Sequence, residues 1–104
     1  MEFKIEEVTG IGEYTFEDLM VKERKDGKIF LAPNNKAFAV LHEGKTIEVR
    51  TDGNLSKVLR EKYESVMQSR YFGRGGIEIV LSGQIEQDQI YDLVRLSYNM
   101  TVEQ

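Results

Sequence analysis

The strongest constraint on the fold lies between residues 36 and 51. Lys36–His42 is dominated by apolar residues, Glu43–Gly44–Lys45 is a short polar turn, and Thr46–Thr51 alternates strictly. Ile47 and Val49 fall on one side of that alternation, and Glu48 and Arg50 on the other. A period of two is that of a half-buried strand. Two strands joined by so short a turn can only pair antiparallel. Lys28–Ala32, stopped by Pro33–Asn34–Asn35, offers a further strand before them. The stretch therefore reads as a meander of three antiparallel strands, or of two with an irregular first.

Helical periodicity follows. Asp52 or Asn54 can cap a helix in which Leu55, Val58, Leu59 and Val66 recur on one face, with Lys57, Arg60, Glu61 and Glu64 outside. The spacing predicts an end near Met67 and a loop over Gln68–Gly76, which holds three Gly and two Arg. Ile77, Ile79 and Leu81 alternate around Glu78 as another strand, and Ser82–Gly83 breaks it. A closing helix runs from about Glu86 to Val102, with Ile90, Leu93, Val94, Ser97 and Tyr98 on one face.

The beginning of the chain is ambiguous. Thr15 with Asp18, ahead of Phe16, Leu19 and Met20 at helical spacing, favours a helix. A strand through Asp18–Glu23 fits nearly as well, running into a turn at Lys25–Asp26–Gly27–Lys28. The expected fold class is α+β, with helices segregated to one face of an antiparallel sheet.

Composition sets the limits on function. The 104 residues suit one domain spanning 1–104, and 40% hydrophobic content supplies one core. The absence of Cys removes disulfides, thiolate nucleophiles and zinc–thiolate sites. The acidic first residues contain no apolar signal core, and no apolar run is long enough to span a bilayer, so a cytoplasmic protein without membrane contact is expected. The net charge is −4 and unevenly spread. Residues 1–21 hold one Lys against six acids, residues 22–74 twelve basic against seven acidic residues, and residues 75–104 only Arg95 against five acids. An acidic chain binds phosphate backbones poorly unless its basic middle gathers on one face.

Few residues carry chemistry. His42, the single histidine, beside a turn, reads as a surface residue with no second histidine to share a metal. The acid pairs Glu6–Glu7 and Glu17–Asp18 read as surface pairs. Gly73, Gly75 and Gly76 match neither a dinucleotide fingerprint nor a phosphate loop. Tyr91 and Tyr98 share a helix face and read as core. No metal, no cofactor and no enzymatic activity are expected. The most informative stretch is Ser69–Gly76, where Arg70 and Arg74 can pair with phosphate and Tyr71 or Phe72 can stack on bases. Its structural alternative is a helix-to-strand connection with one aromatic folded into the core. Lys57 and Arg60 read as the solvated side of their helix, or as an extension of a basic patch from that loop.

The helix "LSKVLREKY" after the two strands, and "VLSGQIEQDQIYDLVRLSY" over Val80–Tyr98, resemble the MmcQ/YjbR family. Gly83, Ile90, Leu93, Val94, Ser97 and Tyr98 match in order and spacing a strand, a Gly turn and a helix of the form x-Ile/Leu-x-x-Leu-Ile/Val-x-x-Ser-Tyr. The resemblance implies an α-β(3)-α-β(2)-α arrangement similar to type III secretion chaperones, with an atypical N-terminal segment here. It also implies a DNA-binding role. Where the family carries His-x-Asn-Lys-x-His-Trp, this chain has Arg70–Gly76, in which neither the Lys nor the Trp is reproduced. The first functional expectation is weak, salt-sensitive DNA binding through Arg70, Tyr71, Phe72, Arg74, Lys57 and Arg60. The second is a non-enzymatic protein-interaction or chaperone-like module, acting on a protein partner or as a homodimer through the sheet.

Overall fold

The structure, a computed structural model, describes residues 20–103 apart from residue 26. Six strands and two helices follow in the order β1 Met20–Arg24, β2 Gly27–Leu31, β3 Ala37–His42, β4 Thr46–Arg50, α1 Gly53–Lys62, β5 Val66–Ser69, β6 Gly73–Val80 and α2 Gln87–Val102. All neighbours pair antiparallel, in the spatial order β1-β2-β3-β4-β6-β5. The α+β class read from the sequence is the class observed. Met20–Arg24 is a strand, overlapping the Asp18–Glu23 alternative read from the sequence, and it extends the meander to four strands. The proposed helix through Thr15, Phe16 and Leu19, and with it the leading helix of the MmcQ/YjbR arrangement, lies outside the described residues. No helix among the described residues is long and apolar enough to cross a membrane.

One sheet face carries the main core. Phe30, Phe38, Ile47, Val49, Ile77 and Ile79 meet Ile90, Val94 and Tyr98 of α2, while Leu59 and Tyr63 from the α1 side pack against the same cluster. Both helices therefore cover a single face. Each large apolar side chain buried there contributes about 1.5–3 kcal/mol. The Phe38 and Tyr98 rings meet edge to face at 5.2 Å. Ser97 ties the helix to two strands, since its Oγ accepts from the Arg50 N–H and donates to the Phe38 carbonyl. Tyr91 and Tyr98 are buried as expected.

Two expectations are corrected around residue 67. Asp52 does cap α1, accepting from Leu55 N–H at 2.8 Å, but the helix stops at Lys62. Val66, which matched the helical spacing, enters the core from β5 instead. The anticipated loop over Gln68–Gly76 is mostly strand. Ser69 ends β5, Gly73 begins β6, and only residues 70–72 turn between them. Glycine is required within that strand. A Cβ on Gly76 would sit 2.5 Å from the Val49 carbonyl oxygen and 2.7 Å from Phe72 Cβ.

Candidate functional site

The second face of the sheet carries a smaller apolar cluster of Ile29, Leu31, Ala37 and Val40, with Phe72 packed against it. Beside it stand the acids that alternate with the core residues of β4 and β6. Glu48 and Glu78 face each other directly in the β4–β6 register, and both are buried. Like charges so placed repel unless each is neutralised locally.

Each is neutralised by a separate set of donors. Glu48 lies 2.7 Å from His42 Nε2 and accepts from Ser69 Oγ at 2.8 Å and from the Tyr71 N–H at 2.9 Å. Burial alone would raise the Glu48 carboxyl pKa. The hydrogen bonds from His42, the Tyr71 amide and Ser69, with the charge of His42, outweigh it and hold the group below the ordinary carboxylate value. Glu78 receives a two-pronged contact from Arg70, Nε at 2.9 Å and Nη2 at 2.8 Å, and a further bond from Thr46 Oγ1 at 2.7 Å.

These contacts fold the 70–72 turn back over the sheet. Arg70 clamps Glu78, the Tyr71 amide sits on Glu48, and the Phe72 N–H donates to Ser69 Oγ. The Phe72 ring lies under the Arg50 guanidinium, 4.8 Å from its carbon, and Arg50 in turn donates to the Ala37 carbonyl. The Tyr71 ring packs edge-on to Phe72 at 4.9 Å and remains 46% exposed. Arg74 is exposed at the start of β6. Lys57 and Arg60 are exposed on α1, which covers the opposite face of the sheet. The six residues singled out in the sequence are thus divided between two faces. His42 is also corrected, because it is a half-buried partner of Glu48 rather than a surface residue.

Two adjoining clefts open on this face. One, of about 250 Å³, is lined by Arg24, Val40, His42, Glu48, Arg70 and Tyr71. The other, of about 500 Å³, is lined by Lys25, His42, Glu43, Lys45, Thr46 and Arg70. Glu43 is paired with Lys28 at 3.4 Å. Sequence reasoning missed Arg24, Lys25, Lys45, Glu48 and Glu78, since each reads locally as an ordinary strand or turn charge. The atoms of His42, Glu48 and Glu78 lie close enough together to hold a metal ion. Their oxygens are already engaged by Arg70, Thr46, Ser69 and the Tyr71 amide, so an ion would have to displace these donors.

No protein-family model matches the sequence, and no curated protein matches it. Solved structures do match the fold. One is the DUF419-domain protein DR2400 of Deinococcus radiodurans, at a TM-score of 0.73 and 12% identity, over 84% of this chain and 70% of that one. Another is a structural-genomics protein from Pseudomonas syringae, at a TM-score of 0.68 and 19% identity, over 81% of this chain and 87% of that one. At these identities the likeness concerns the fold alone, and the chain has the fold seen in a DUF419 domain.

Proposed function

We propose that this is a non-enzymatic binding domain that holds DNA on the second face of its sheet, around the 70–72 turn. One observation carries the reading. The two clefts that meet at His42 and Arg70 are edged by Arg24, Lys25 and Lys45, with the Tyr71 ring exposed on their rim. Of the acids around these clefts, Glu48 and Glu78 are turned onto internal donors, and Glu43 is paired with Lys28. Phosphate oxygens accept from Arg and Lys, and an exposed aromatic ring gives a base a surface to stack on. Arg70 is paired with Glu78, so Arg24, Lys25 and Lys45 supply most of the attraction, with Arg74 beyond them. Lys57 and Arg60 take no part from the helix side. With so few cations on a chain of net charge −4, the binding is weak and steeply dependent on salt.

The test is fluorescence anisotropy of a short labelled duplex, titrated at low and moderate ionic strength. Arg24→Ala with Lys25→Ala is expected to weaken binding about tenfold or more. It should also flatten the salt dependence by roughly 0.9 in log–log slope for each phosphate no longer neutralised. Tyr71→Ala is expected to weaken binding with little change of slope. Binding absent at low salt, or unaffected by these variants while Lys57→Ala with Arg60→Ala abolishes it, refutes the assignment.

A further inference from the structure

The helix layer carries a feature that DNA binding does not use. Between α1 and α2 runs an apolar groove of about 290 Å³, lined by Leu59, Tyr63, Ile85, Leu93 and Leu96, with Asp92 at its edge. Leu96 in its lining is 37% exposed, and Val58 on α1 is 56% exposed. The two helices differ in charge. α1 brings Lys57, Arg60 and Lys62 against Glu61. α2 and its cap bring Glu86, Asp88 and Asp92 against Arg95. Lys62 holds its ammonium 5.2 Å from the centre of the Tyr63 ring, and so at the groove. Asp92 is 76% exposed and bonds to Arg95 on its own helix. Among the described residues no ion pair joins the basic residues of α1 to the acids of α2.

The helices run in opposite directions. Tyr63, at the end of α1, and Ile85 and Gln89, at the start of α2, line the same groove. The basic end of α1 is therefore level with the acidic beginning of α2.

We propose that this groove is a self-association surface, covered by the helix layer of a second copy of the chain. The charge pattern selects the arrangement. A two-fold axis parallel to the helices lays each α1 over the partner's α2 at the same level, bringing Lys62 over the acidic first half of α2 twice in the interface. An axis perpendicular to the helices stacks like on like. The two-fold arrangement parallel to the helices also covers Val58 and Leu96 without burying an unpaired charge.

Sedimentation velocity of the full chain, from micromolar to about millimolar concentration, tests this. A reversible monomer–dimer equilibrium is expected. Lys62→Glu and Asp92→Lys should each weaken the dimer about tenfold, since each places like charges together twice. The combined variant should recover to within a few-fold of the parent, because the two exchanged charges then attract each other across the interface. Leu96→Asp should leave a monomer, with circular dichroism and urea midpoint reporting that it is folded. A chain that stays monomeric throughout overturns the proposal. So does a dimer indifferent to these substitutions, or a combined variant no better than either single one.

Discussion

Glu48 and Glu78 stand opposite each other on neighbouring central strands, and the same three-residue turn restrains both. Arg70 serves Glu78 with its side chain, and Tyr71 serves Glu48 with its backbone amide. A turn that the sequence offers as a ligand loop is therefore the neutralising element of a buried like-charge pair.

Removing the clamp should cost stability. Arg70→Ala leaves Glu78 buried with Thr46 as its remaining side-chain donor, and is expected to destabilise the domain by about 1–3 kcal/mol, toward the lower end because Arg70 is largely exposed. Adding Glu78→Gln should restore part of this, because the uncompensated charge is then gone. Urea midpoints of the two single variants and the pair measure the coupling.

Acid should loosen the same region. The folded-state pKa of Glu48 is lowered, so its contribution to stability is fully present above the ordinary carboxylate value of about 4.3. That contribution is lost as pH falls from there through the lower folded value. Urea midpoints between neutral pH and about pH 3 should fall less steeply for Glu48→Gln than for the parent, although the variant starts from lower stability. Equal slopes would show that the carboxylate is not the titrating group.

At Gly76 the prediction concerns space. Gly76→Ala drives a methyl group into the Val49 carbonyl and Phe72, and should cost about 1–3 kcal/mol. Phe72→Gly in the same chain relieves the crowding from Phe72, because it removes both the Cβ at 2.7 Å and the ring carbon at 3.2 Å. The pair should therefore be less destabilised than the sum of the single variants, which thermal unfolding can resolve.

Tyr71 separates side chain from backbone. Tyr71→Ala keeps the amide on Glu48 and should leave stability within about 0.5 kcal/mol of the parent. Tyr71→Pro removes the N–H and should cost about 1–3 kcal/mol, since Glu48 loses a donor while remaining buried. Amide exchange of residues 70–73 by NMR should accelerate in the proline variant alone.

What the sequence disclosed of this design follows its physics. Period-two stretches such as Thr46–Thr51 and the capped start at Asp52 are local signals, and both became the elements expected. β5 was illegible because Val66 fits a helical stripe as well as a strand, and only its pairing with Ile79 decides between them. The Ser69–Gly76 stretch is special for a reason other than the one its composition suggests. Gly76, which hinted at an open loop, is there to let Phe72 lie against the sheet. Glu48 and Glu78 alternate with core residues and so read as solvent-facing. Nothing local in the sequence says that His42, Ser69 and Arg70 converge on them.

The anchoring of Tyr71 through its amide has a consequence for how this surface can vary. Any residue other than proline at position 71 presents the same N–H to Glu48, so the backbone there is fixed independently of the side chain it displays. Position 71 is thus an interchangeable tip on a rigid mount, where the chemistry offered to a ligand can be exchanged while the socket beneath it stays unchanged.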